Sequence, residues 1–275
     1  MSGVAGEGGP SLPRRLARAA RRRIPPSWRD RIPNRTSMLG VGVLWFHHFH
    51  KAGGSSVVTA ARRGGWRPHR PHGNGNPMSP EGETLPIWEM DEAALGGWLR
   101  AVRRRGVNFI ACEWGFPQAA LDLTRPRLFR AAVLRDPVER VISSYVFDRF
   151  HGDAETPDIL DYVQERQVFK KIDYYSTRVA GRADAAGREA TFKALMRFES
   201  LSFLGRPESY ARLDRLIPGV ASAHEHRTAA LGGGDADARA AALENVARRR
   251  DRLEASADGE RRLIRRLLEA RGATG

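Results

Sequence analysis

Twice in this chain an apolar run of strand length turns a tight corner directly into a helix, and this pattern limits the fold more than any other feature. The first run is Val41-Gly42-Val43-Leu44-Trp45-Phe46, continuous in the manner of a strand buried on both faces of a parallel sheet. It passes through Lys51-Ala52-Gly53-Gly54-Ser55-Ser56 into a helix start at Val57-Val58-Thr59-Ala60-Ala61-Arg62. The second is Leu128 to Leu134, ending at Arg135, where Asp136 can N-cap a helix and Pro137 suits its first position. Val138, Val141, Ile142, Tyr145 and Val146 then follow a helical stripe and should face the core. Ser143 falls off that stripe, near the face of Glu139 and Arg140.

Between these units, residues 64–86 form a loop rich in Pro, Gly and His, a length that inside a domain is usually functional or mobile. Residues 91–105 read as a helix stopped by Gly106, and residues 107–111 as another short strand. From Pro137 onward the pattern is mostly helical, with breaks near Gly152, Gly181, Gly205 and Gly232 to Gly234. Strands alternating with helices, then helices, predict an α/β domain with a mainly parallel sheet flanked by helices. The expected organisation is a basic tail at 1–38 followed by a domain over 39–275. The tail carries the stretch RRLARAARRR, whose apolar face is too thin for a firm surface anchor.

Composition narrows the classes. The 275 residues carry 46 Lys and Arg against 32 Asp and Glu, a net charge of +14. That balance invites a nucleic-acid-binding reading. Lysine, however, occurs only at Lys51, Lys170, Lys171 and Lys193, amid abundant Arg, Ala and Gly. A GC-rich coding bias explains such a composition, so no nucleic-acid partner is expected. No apolar run reaches the roughly 20 residues of a membrane span. No secretory pattern opens the chain, and the expected location is the cytoplasm. Cys112 is the single cysteine, which excludes an internal disulfide or a thiolate zinc cluster; it reads as a small buried hydrophobe.

The corner at 51–56 has the chemistry of an anion cradle. Glycines let the main chain approach closely, and the serines and helix N–H groups donate. Lys51 precedes the glycines, so this is not the nucleoside-triphosphate signature, in which Lys follows them. At the second corner, an Arg ending a strand and a Ser two turns into the next helix can hold one phosphate between them.

The pair of motifs, KAGGSS and then LRDPVERVISSY, resembles the two cofactor signatures of sulfotransferases that use 3′-phosphoadenosine 5′-phosphosulfate (PAPS). Order and spacing agree, and the wording FHHFHKAGGSS is closest to the carbohydrate, heparan-sulfate O-sulfotransferase-like branch. Residues 173–181 and 195–210, the latter with Gly205, Glu208 and Tyr210, echo the same branch, as does His226-Arg227-Thr228 more weakly. The resemblance implies a P-loop-like three-layer α/β domain. It implies that Ala52, Gly53, Gly54, Ser55 and Ser56 hold the 5′-phosphate of PAPS, and that Lys51 binds the phosphosulfate and neutralises the leaving phosphate. It implies further that Arg135 and Ser143 grip the 3′-phosphate. Ala52 and the serines stand where the branch often has Thr; Ser keeps the hydroxyl, and Ala52 suffices if only its backbone is used.

Sulfuryl transfer needs a base for the acceptor hydroxyl. Glu113 follows the strand at 107–111, amid Trp114, Gly115 and Phe116, where apolar surroundings should raise its pKa. In the resembled enzymes this position commonly carries the base, often as His, so Glu113 is a departure in residue type. His47, His48 and His50 are the rival cluster. On an extended strand His48 and His50 share a face and His47 takes the other, which argues against one shared metal ion. No metal is expected. His48, His50 and Trp114 are candidates for contact with the acceptor, a small molecule or glycan. The alternatives are a nucleotide-dependent kinase, against which stands the missing GK[ST] element, and a basic nucleic-acid-binding protein.

Overall fold

The computed structural model describes residues 42–69, 72–73, 76–222 and 235–272. The basic tail at 1–38, the glycine break at 232–234 and His226-Arg227-Thr228 lie outside them. The described residues all belong to one compact unit.

Four parallel strands make the central sheet: β1 (Val43–His47), β4 (Phe109–Cys112), β5 (Leu128–Leu134) and β6 (Ser200–Phe203), in the order β4-β1-β5-β6. Each strand sends alternate side chains to opposite faces. Leu44 and Phe46 of β1 join Phe109, Ala111, Ala131 and Val133 beneath helix α1 (Gly54–Arg63). Val43 and Trp45 pack with Ile110 and Cys112 against helix α2 (Glu92–Arg104). Further along the same face, Ala132, Leu134, Leu201 and Phe203 meet Tyr174, Tyr175 and Leu263. Helices therefore cover both faces, as buried parallel strands require.

The signals expected at Asp136, Pro137, Gly152 and Gly181 are in place, and Asp91 proves to be a cap rather than the first helical residue. Asp91 accepts from Ala94 N at the start of α2, and Asp136 accepts from Val138 N and Glu139 N at the start of α4 (Pro137–His151), where Pro137 takes the first turn. Gly152 and Gly181 end α4 and α6 (Tyr174–Ala180) at φ of 77° and 72°. A short helix α3 (Ala119–Asp122) joins β4 to β5, and α5 (Ile159–Tyr162) follows α4. Beyond α6 come α7 (Ala185–Met196), α8 (Ala211–Leu216), α9 (Ala236–Ser256) and α10 (Asp258–Ala270).

The structure adds two elements to the sequence reading. The stretch from 137 onward is not all helix between its glycine breaks: Ser200–Phe203 is β6, the edge strand beside β5. Four residues with buried serines at 200 and 202 carry too little apolar signal to be read as a strand. The long loop at 64–86 also has local order, since β2 (His72–Gly73) and β3 (Asn76–Pro77) pair antiparallel. Among the described residues no helix is long and apolar enough to cross a membrane.

Candidate active site

Neighbouring strands β1 and β5 send their chains in opposite directions: β1 leads through α1 and α2 to β4 on one side, and β5 leads to β6 on the other. In a parallel sheet such a divergence opens a crevice at the strands' carboxyl ends. The Lys51 turn follows β1 and Arg135 follows β5, so both segments open onto this crevice. Arg135 Nη1 donates to the Lys51 carbonyl at 3.3 Å. Its main chain is fixed by Tyr175, whose hydroxyl donates to the Arg135 carbonyl at 2.9 Å and lies 2.8 Å from its N–H. Burial lowers the Arg135 pKa, but a guanidinium keeps its charge at neutral pH.

The turn itself is bent by two left-handed residues, Lys51 at φ 56° and Gly53 at φ 86°. Gly53 caps α1 without a side-chain bond, and the first turn of α1 holds no acid. Its positive end is thus left for an anion. Ala52 is buried, Ser55 is exposed in the first turn and Ser56 is buried. Gly54 has a steric role as well. A Cβ there would sit 1.9 Å from His48 Cδ2, so the missing side chain makes room for the imidazole.

Lys51 Nζ lies over the Phe147 ring, 2.9 Å from its centroid. Burial lowers its pKa to about 8, against the opposing pull of Asp148, Glu113 and Asp153. Ser143 is half-buried on α4, with no contact joining it to Arg135. The face of α4 beside it is largely buried. Arg140 is fully buried, donating to the Phe169 and Lys171 carbonyls with its guanidinium 4.4 Å from the Tyr174 ring centroid. Ser144 and Asp148 on that face meet the Tyr162 hydroxyl at 3.0 and 2.6 Å.

Parallel register brings the base candidates together. His47 aligns with Cys112, and His48 N donates to the Cys112 carbonyl at 2.8 Å, so the residues that follow each strand emerge side by side. Glu113 Oε1 is 2.9 Å from His50 Nδ1, and Glu113 Oε2 is 3.7 Å from His48 Nδ1. Glu113 is 8% exposed, and burial, the largest single influence, pushes its pKa up. His50, His48 and Lys51 together outweigh burial and hold the carboxyl below its usual value. The raised pKa expected from apolar neighbours is therefore corrected: the residues that matter are cationic or donating, and they come from the other strand.

His47 points away, its ring edge-on to Phe49 and Phe116 at 4.4 and 4.9 Å. Among the described residues no group of three His, Cys, Asp or Glu could hold a metal ion. Trp114 is 52% exposed beside Glu113, its carbonyl accepting from Arg178. Cys112 is buried, its thiol pKa pushed up to about 12, which suits a packing role.

Sequence reasoning missed Asn76. Its Oδ1 accepts from Glu113 N at 2.9 Å and Trp114 N at 3.1 Å, clamping the start of the Glu113 turn. Nothing in the surrounding Gly-Asn-Gly-Asn-Pro run marks that role. A cavity of about 500 Å³ beside Trp66, Arg67, His69 and Val107 lies at the opposite end of β4 and holds none of these groups. No protein-family model matches the chain, and no curated protein matches its sequence.

Proposed function

We propose that this chain is a PAPS-dependent sulfotransferase acting on the hydroxyl of a sugar, glycoconjugate or secondary metabolite, on a sheet read as P-loop-like. One observation carries the reading: the Arg135–Lys51 contact, which unites the two signature segments at one crevice. The residues suit a doubly phosphorylated donor. An acid-free helix N-terminus and Lys51 would serve one anion, and Arg135 another.

When bound, PAPS supplies an activated sulfur joined to a phosphate leaving group. The amides of residues 52–56 would hold the 5′-phosphate, and Arg135 with Ser143 the 3′-phosphate. Lys51 offsets charge on the departing phosphate; preorganised electrostatics of this kind are usually the largest catalytic term. Glu113 and the imidazoles beside it provide the basic group for the acceptor's proton. Trp114, exposed next to them, offers an apolar surface to a sugar ring.

Thermal stability measured with the 3′,5′-bisphosphate nucleotide, against ATP and AMP, tests the reading. Selective stabilisation by the bisphosphate without magnesium is the expected result. Equal response to ATP, or dependence on magnesium, would favour a kinase.

A further inference from the structure

We propose that His50 is the group that takes the acceptor's proton, and that Glu113 is the positioning residue that holds its imidazole in the reactive tautomer. This rests on the sulfotransferase reading and deepens it, because the carboxylate next to the reacting groups is already committed to the histidine.

The argument starts from the contact. Glu113 Oε1 and His50 Nδ1 are 2.9 Å apart, a hydrogen-bond distance that needs one proton between them. An ionised carboxylate has only lone pairs to offer, so the proton belongs to Nδ1. The surroundings favour that ionised state, with Lys51 and His48 both close enough to stabilise it. A neutral imidazole protonated at Nδ1 has a bare Nε2. In His50, Nε2 is buried and has no hydrogen-bond partner. An unpaired acceptor at such depth costs free energy, and a proton donor arriving with the substrate removes that cost.

The alternatives are weaker on geometry. Glu113 is hemmed in by both imidazoles, and its carboxylate is a poor base because the same neighbours that surround it stabilise its charge. His48 packs its Cδ2–Nε2 edge over Gly54, and its Nδ1 stands 3.7 Å from the carboxylate, beyond hydrogen-bond distance, so nothing fixes its tautomer as Glu113 fixes that of His50. His50 has the more exposed side chain, 26% against 9% for His48, although its Nε2 is itself covered, so the acceptor's hydroxyl has to displace what covers it. It is also held from two further directions, its N–H donating to the Tyr174 hydroxyl at 3.1 Å and its ring centroid 5.0 Å from that of Phe169.

The step balances simply. The acceptor's O–H bond breaks, an N–H bond forms at Nε2, and the electron pair left on oxygen forms the new bond to sulfur while the bond from sulfur to the donor's phosphate oxygen would break, that oxygen keeping the pair and leaving with the bisphosphate nucleotide. The resulting imidazolium shares its Nδ1 proton with Glu113, which stabilises the positive charge. The charged and titratable groups facing His50 are Glu113, His48, Lys51 and Tyr174, so a pH profile must be interpreted with all four.

The test uses the full chain labelled with ¹⁵N-histidine. The expected spectrum has His50 protonated at Nδ1 and bare at Nε2 at neutral pH, with Glu113→Gln shifting population toward the other tautomer. In parallel, nucleotide release from PAPS is followed with glycerol as the hydroxyl acceptor. His50→Gln should lose about 100- to 10,000-fold in rate while keeping its stabilisation by the bisphosphate nucleotide. Added imidazole should restore part of the rate to His50→Gly, an effect no merely structural role would produce. A proton on Nε2, or a His50→Gln rate within a few-fold of wild type, overturns the proposal and returns the base to Glu113. A wild-type chain that ignores the bisphosphate sinks the donor reading instead, and the catalytic assignment with it.

Discussion

Arg135 reaches across 84 residues of sequence to donate its Nη1 to the carbonyl oxygen of Lys51. Neither residue is near the other in the chain, and each follows a different strand of one parallel sheet. The contact ties a glycine-rich turn to an arginine-led helix, and any anion recognised by one is within the field of the other.

Nucleotide binding should depend on both residues. With the bisphosphate nucleotide at 100 times its dissociation constant, wild type should gain about 2.7 kcal/mol of stability. Lys51→Ala and Arg135→Ala should each erase most of that gain, as read by the shift in melting temperature. Retention of the full shift in both variants would remove the basis for a shared site.

The same binding should weaken with rising pH. Lys51 titrates near 8 because burial disfavours its charge, so the free protein loses a cation at the site as pH passes that value. Affinity measured from pH 6.5 to 9.5 should be steady at the acid end and fall above about 8. A profile flat across that range would mean that Lys51 does not meet the anion.

Two glycines of the region should respond differently to alanine. Gly65 has φ of 87° with open space around its Cβ position, so Gly65→Ala costs only backbone strain, about 1–2 kcal/mol. Gly54 is helical, but its Cβ would collide with the His48 ring. Gly54→Ala should displace that imidazole and lower the rate of PAPS turnover, whereas Gly65→Ala should lower stability alone. Chemical denaturation and turnover, measured on both variants, separate the effects.

His47 should make the fold acid-sensitive. Burial, with Arg178 and His48, drops its pKa well below the ordinary 6.5, and neither ring nitrogen has a hydrogen-bond partner. The unfolded chain therefore takes up a proton below pH 6.5 that the folded chain refuses, and stability falls as pH falls. The contribution reaches about 1.4 kcal/mol per pH unit for one proton. His47→Phe should flatten that slope between pH 6.5 and 5 in urea titrations. An unchanged slope would assign the acid response to other groups, with His48, also depressed by burial, the first to examine.

Arg140 should be a structural requirement. It satisfies the carbonyls of Phe169 and Lys171 from a fully buried position on α4. Arg140→Met would strand both acceptors and should destabilise the protein by about 3–5 kcal/mol by denaturant midpoint. A loss below 1 kcal/mol would show that water replaces the guanidinium freely.

Much of the fold was legible in local chemistry. Leu128–Leu134 is an apolar run broken only by Arg130 that stops at a charged corner, and β5 has those bounds. The cap at Asp136 and the stops at Gly152 and Gly181 depend on a few adjacent atoms, so a linear reading finds them. β6 escaped because its four residues alternate apolar side chains with buried serines, a pattern stabilised by pairing with β5 rather than by local preference. Arg140 escaped because its burial depends on carbonyls 29 and 31 residues away.

The residues of the site were visible as types, and their partners were not. Lys51, the two glycines, Arg135 and Glu113 stand out one by one because anion binding and proton transfer demand those side chains. The pairing of Glu113 with His50, 63 residues apart, follows from parallel register, with His47 set against Cys112. Asn76 reaches the Glu113 turn only because β3 folds the loop beneath β4. Local preference is written in neighbouring residues, whereas a pKa or a tautomer is set by whatever charge the fold brings within a few ångströms. Thus the chain's order alone determined an α/β sheet with two charged corners, and tertiary packing decided which imidazole the carboxylate would hold.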